Sequence, residues 1–157
     1  MKKIIAAFVF LATLTTVITL SNKSAFNQSN SDSDSITAQR KIYVDMVNET
    51  IKGKEEMASD SVFKDIELMK SVPAGRLVMI MDKGFSNALG VSCDHCHNTE
   101  NYASNEKNKK QIAREMMKMS GDIREMISNI KEIESKEATI NCTTCHRGEI
   151  IPATKLK

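Results

Sequence analysis

A mostly α-helical domain is the fold class that the sequence predicts, and three observations predict it. Apolar residues recur at three- to four-residue steps over long stretches of the 157-residue chain, the spacing of one helix face. No Asn-Gly or Asp-Gly pair signals a hairpin, and strand-like alternation is scarce. Gly53, Pro73 and Gly90 stand where helices would stop or start.

Taken in order, the chain begins with Lys2 and Lys3 ahead of an uncharged run from Ile4 to Leu20, the charged and apolar regions of an export signal. The run is at the short limit for a spanning helix, so residues 1–25 are expected to be either a cleaved signal peptide or an N-terminal membrane anchor acting through residues 4–20. Ser21 to Ser35 holds six Ser, three Asn and two Asp, too little apolar area to order itself, and residues 26–35 read as a flexible polar linker. The domain proper is expected at 36–157.

Within it, Ile36, Tyr43, Val47 and Ile51 predict an amphipathic helix over 36–52 that Gly53 stops. Residues 62–72 carry Val62, Phe63, Ile66, Leu68 and Met69 without clean periodicity and are expected to be extended or irregular. Pro73 suits the first turn of a helix that runs to Leu89 and stops at Gly90. Ile112, Met116, Met119, Ile123, Met126, Ile130 and Ile133 predict a longer helix over 108–134, with that stripe as its buried face.

Charge excludes one class of partner. Three of the 22 basic residues, Lys2, Lys3 and Lys23, lie in the first 25, which contain no acid; 19 basic residues then stand against 20 acidic ones, and no nucleic acid is expected. The core is short of rings: beyond residue 25 only Phe26, Tyr43, Phe63, Phe85 and Tyr102 are aromatic, and there is no Trp. Ten Met supply adaptable apolar bulk, yet a domain this small gains much from a bound apolar cofactor or metal.

Two short strings carry the chemistry, Cys93-Asp94-His95-Cys96-His97 and Cys142-Thr143-Thr144-Cys145-His146. Both are C-x-x-C-H, the attachment signature of c-type haem. Cys at i and i+3 of a turn puts both sulfurs on one side, where they form thioethers with the haem vinyl groups. His at i+4 then reaches the iron. Together the strings use every Cys in the chain, and the expected cofactors are two haem c groups. A disulfide within each motif, or a zinc site built from Cys93, Cys96, Cys142 and Cys145, is the competing use of the same residues.

Histidine arithmetic restricts the opposite side of each iron. Of three His, His97 and His146 are the proximal candidates and His95 is interior to the first motif, so Met is the natural sixth ligand. Met81 shares a face with Leu77, Val78, Phe85 and Ala88, whereas Met79, about 200° away, falls with Asp82, Lys83 and Ser86. For the second haem, periodicity leaves Met116, Met117 and Met119 open. The neighbours expected around the candidate thioethers, Leu77, Val78, Phe85, Ile112 and Ile123, include no proton donor.

The strings Ala88-Leu89-Gly90-Val91-Ser92 before Cys93, then Ala103-Ser104, Ala113-Arg114-Glu115-Met116, and Arg147-Gly148 and Pro152 after His146, resemble the photosynthetic reaction-centre cytochrome c subunit family over about residues 62–155. The resemblance implies a multihaem cytochrome c type of fold, with two repeats of Met-bearing helix, loop and C-x-x-C-H after an N-terminal helix. It implies Met81 and Met116 as axial ligands. The family's photosynthetic members carry four haems in far longer chains, so what is implied here is the repeat in a short diheme form.

The function expected is that of an exported, periplasmic diheme cytochrome, soluble or anchored to the inner membrane, that carries single electrons between redox partner proteins and is not an enzyme. Two other classes fit the sequence: a haem-based sensor or peroxidase with one open iron, and a haem-bearing subunit of a membrane electron-transfer complex. Lys107, Lys109, Lys110 and Arg114 form a basic cluster that reads either as a solvated helix start or as a docking patch for an acidic partner. Arg147 reads either as a solvated side chain or as a partner for a haem propionate.

Overall fold

A computed structural model describes residues 32–155. From Ile36 onward the described chain forms one compact unit. The expected signal or anchor at 1–25, with its apolar run, lies outside the described residues, as does the linker up to residue 31. No helix among the described residues is long and apolar enough to cross a membrane.

The domain is mostly helical, as the periodicities predict. Helix α1 covers residues 32–50, so residues 32–35, expected as linker, continue the helix instead. Asp32 and Asp34 lie in its first turn, where the helix dipole favours negative charge. At the other end Ile51 turns inward, 2% exposed, and Gly53 adopts φ +77° to reverse the chain. A short helix α2, Ser59–Val62, is stitched to the segment that returns past it. Ser59 donates its amide and hydroxyl to the Val72 carbonyl at 2.9 and 2.6 Å, and the Asp60 amide donates to the Lys70 carbonyl at 3.2 Å. The segment 63–72 between them is irregular as expected, with Asp65 and Met69 both at positive φ.

Helix α3 covers residues 74–89. Pro73 sits just before it in the extended region, where its missing N–H costs nothing, and Gly90 closes it at φ +66°. Its buried Ala74 and Val78 pack with Ile51 against Val44, Val47, Val62 and Phe63, and this cluster is the core. The helix is not uniform: Ile80–Ser86 winds as a π-helix between α-helical ends at Ala74–Met79 and Asn87–Leu89. A tight 3-10 turn at Cys93–His95 follows.

Helix α4, Asn108–Ser128, and the short helix α5, Cys142–His146, complete the fold. Two helix–loop–motif units thus follow α1. Helix α4 corrects the sequence reading twice. It ends six residues early, since Ile130 and Ile133, at 46% and 38% exposed, gain no packing that would extend it. The stripe expected to be buried is its outer side: Ile112, Met116, Met119 and Met126 are 44–65% exposed, while Lys110 and Arg114 are each 9% exposed. Periodicity reports that an apolar face exists. Which face the chain covers is decided by partners, and here two cations find a carboxylate and several carbonyls.

Candidate functional site

The first motif is one turn of chain. The amides of Cys96 and His97 both donate to the Cys93 carbonyl, at 3.3 and 3.0 Å, so two thiols and an imidazole are presented from a single loop. Cys93, Cys96 and His97 line a cavity of about 450 Å³, on whose wall Met81 also lies, together with Leu77, Val78, Phe85, Leu89 and Val91. That volume falls in the range of cofactor pockets. Met79, by contrast, is 50% exposed.

Each group is in a defined state. No disulfide joins any of the four cysteines, and burial pushes the Cys93 and Cys96 thiols up, with Asp82 adding to the shift at Cys93. Burial is also the largest influence on His97 and holds its imidazole below the usual range, toward the neutral form. The Tyr102 carbonyl accepts from His97 Nδ1 at 3.4 Å, and a carbonyl can only accept, so Nε2 keeps the lone pair a metal requires. The Tyr102 ring lies 5.3 Å from the imidazole, and burial pushes its phenol up to about 12.

The π segment explains how polar residues reach this wall. More residues per turn bring Ser86 round beside Met81, since π-helical bonding joins i to i+5. Ser86 is buried, and Asp82 and Ser86 both line the cavity, which corrects the sequence expectation of an exposed polar face and of surroundings free of proton donors. Asp82 is committed elsewhere: it pairs with Arg40 of α1 at 2.8 Å and with Lys83 at 3.0 Å. Sequence reasoning missed the π segment, and Gly84 within it is the one local signal of a weak α-helix there.

A buried ion network lies beneath the motif. Lys110 Nζ and Arg114 Nη2 each reach Asp65 Oδ2 at 2.7 Å, and Arg114 also pairs with Glu67 at 2.8 Å. Lys110 donates further to the carbonyls of Tyr102, Ala103 and Ser104 at 2.9, 3.1 and 3.1 Å. Half of the expected basic surface cluster is therefore interior, because the 102–104 loop and Asp65 enclose it. Lys109 stays exposed beside His95, at 3.4 Å, and the half-buried Lys107 donates to the Asp94 carbonyl.

The network has a pH signature. Lys110 and then Arg114 hold the Asp65 carboxyl well below the usual carboxylate range. A depressed carboxylate contributes stability that is complete above its unfolded value, about pH 4, and is lost as pH falls toward the folded value. Acid unfolding is therefore expected to steepen below about pH 4. Asp65→Asn should flatten that slope and cost on the order of 3 kcal/mol at neutral pH, by leaving the buried Lys110 without a carboxylate and Arg114 with Glu67 alone. Chemical denaturation followed by circular dichroism from pH 3 to 7 checks both.

The second motif is organised differently. Asn141 caps α5, its side chain accepting from the Thr144 amide while Thr144 Oγ1 accepts from the Asn141 amide, both at 3.1 Å. His146 Nδ1 donates to the Glu149 carbonyl at 3.0 Å, again leaving Nε2 free. Cys142 is half-buried and Cys145 exposed, and Cys145 lines a shallow concavity with Thr144, Arg147, Pro152, Ala153 and Thr154. Contacts hold α5 to the end of α3: the Gly148 amide donates to the Ala88 carbonyl at 2.8 Å. Met117 lines the first cavity, and Met116, at 44% exposed, lies on the outer stripe of α4 with Met119.

The residues of the first cavity suit a haem. Its wall is largely apolar, the thiols stand on one turn, and Ser92 Oγ, beside Cys93 on the same wall, is a buried hydroxyl without a partner. The model of the photosynthetic reaction centre cytochrome C subunit family matches residues 19–156. The chain belongs to this family.

This reaction-centre cytochrome relative is similar to cytochrome c-554 of Chloroflexus aurantiacus, with 31% identity over 85 residues, 54% of this chain and 20% of the other. It is also similar to the photosynthetic reaction center cytochrome c subunit of Roseobacter denitrificans, with 28% identity over 108 residues, 65% of this chain and 28% of the other. The matched region thus spans well under a third of either relative. Membership makes the chain a c-type cytochrome, of a family whose cofactor is covalently bound haem c.

Proposed function

We propose that this cytochrome carries two haems per chain and passes single electrons between redox partner proteins. Cys93, Cys96, Cys142 and Cys145 attach the haems, His97 and His146 are the proximal ligands, and Met81 and Met116 are the sixth. The observation that carries the reading is the gathering of Cys93, Cys96, His97 and Met81 around one apolar cavity.

Bound haem supplies the one-electron redox change; the chain supplies attachment, orientation and dryness. Tyr102 and Glu149 each fix an imidazole tautomer through a backbone carbonyl. Leu77, Val78, Phe85 and Leu89 exclude water from the first site. Arg40 holds Asp82, and with it the π turn that puts Met81 on the cavity wall. For the second site, Met116 is supported by its place on the α4 stripe ahead of the motif and by the use of Met117 elsewhere. Lys2, Lys3 and the apolar run at 4–20 support export to the periplasm. The relative named as a reaction center subunit supports service beside a membrane electron-transfer complex.

Intact-mass spectrometry of the protein made with a haem-maturation system is expected to show the added mass of two haems, one on each motif peptide. Cys142→Ser with Cys145→Ser should lose one of them and keep the first. A single haem in the unmutated chain, or bound zinc in place of haem, overturns the proposal.

A further inference from the structure

Lys110 is an unusual lysine. It is 9% exposed, and its three protons already face four acceptors: the carboxylate of Asp65 and the carbonyls of Tyr102, Ala103 and Ser104. No proton is left over for a haem carboxylate. One of those acceptors is shared, because the Tyr102 carbonyl receives Lys110 Nζ at 2.9 Å and His97 Nδ1 at 3.4 Å. An ammonium and the proximal imidazole therefore compete for the same oxygen.

We propose that Lys110, anchored by Asp65, is a positioning residue that raises the potential of the first haem through the Tyr102 carbonyl it shares with His97. The inference rests on the haem reading above. A carbonyl that accepts strongly from Nδ1–H draws the imidazole toward imidazolate, which favours ferric iron. An ammonium on that carbonyl withdraws its electron density, weakens the pull, and favours the ferrous state that forms when one electron is added. The positive charge itself acts in the same direction. Asp65 opposes it, since a carboxylate 2.7 Å from Nζ neutralises most of the ammonium's field.

The two charges therefore predict shifts of opposite sign. Lys110→Gln keeps two amide protons for the loop carbonyls but removes the charge. Its first haem should favour the oxidised form about tenfold more, 59 mV lower for one electron. Lys110→Arg should restore most of the difference. Asp65→Asn leaves the ammonium unopposed and should move the same haem upward, while the haem at Cys142 and Cys145 stays within a twofold change in every variant. Haem content by mass comes first, and potentials follow by spectroelectrochemical titration. Absence of haem at Cys93 and Cys96 in the unmutated protein overturns the haem reading itself. Haem present with a first potential unmoved in both variants, moved downward in both as a loosened pocket would give, or moved equally at the two haems, overturns the role of Lys110. Loss of haem from Lys110→Gln leaves the decision to the sign measured in Asp65→Asn.

Discussion

Replacing Met81 with Ala is expected to open one iron and lower its potential by on the order of 0.1 V, a modest part of the roughly 0.8 V that axial ligands span. A thioether favours ferrous iron, and its loss leaves a position that water or an added ligand fills. Carbon monoxide is the direct probe. The reduced unmutated protein should bind it poorly at both haems, and Met81→Ala should bind one equivalent, at the haem on Cys93 and Cys96. Stability should fall as well, by about 2 kcal/mol, the lower end for truncating a Met because this one is only half-buried. Met79, two residues earlier and 50% exposed, is the control, and Met79→Ala should change neither spectrum nor potential. Met117 lines the same cavity. If Met117→Ala rather than Met81→Ala opens the site, the ligand comes from α4 and the assignment of Met81 is wrong.

Gly90→Ala is expected to be the most disruptive single methyl in the domain. Gly90 closes α3 at φ +66°, where a Cβ costs about 1–2 kcal/mol by itself. An added Cβ would also drive into the Gly148 carbonyl oxygen and sit 3.1 Å from its carbon, both of them backbone atoms that no side-chain rotation can move aside. The contact broken is the one that holds the second motif to the end of α3, since the Gly148 amide donates to the Ala88 carbonyl there. Thermal unfolding should show a loss larger than that of Gly53→Ala, which has the same kind of backbone, φ +77°, and nothing within 4 Å of the added carbon. The difference between the two variants measures the docking alone. Limited proteolysis should cut residues 129–157 faster in Gly90→Ala than in Gly53→Ala. Equal losses and equal cutting would mean that the close approach of residues 90 and 148 contributes nothing.

Much of this site was legible from the residues, and for identifiable reasons. C-x-x-C-H is read by spacing alone because its parts lie on one turn, and the structure gives that turn two amides bonded to one carbonyl. Pro73 and Gly90 bracket α3 because both act through their own backbone dihedrals, which need no partner. The placement of Met81 on an inner face and Met79 on an outer one followed from helical spacing even though the helix is π-wound there. The family followed from the same strings that carry the chemistry.

Other features depended on groups far apart in the chain. The stripe from Ile112 to Met126 looked like a core face, and it is α4's exposed side, because Lys110 and Arg114 gain more from Asp65, 45 and 49 residues away, than the stripe gains from any neighbour. The π turn at 80–86 is pinned by Arg40 of another helix, and locally only Gly84 hints at it. What the sequence by itself determined was the one-turn layout of the first motif, the helical class and the bracketing of α3 by Pro73 and Gly90, all properties of residues within one or two turns of each other. Only the tertiary structure decided which charges are interior, which carbonyl orients each imidazole and how the second motif is docked. Burial and long-range hydrogen bonding are properties of pairs that the chain must fold to bring together.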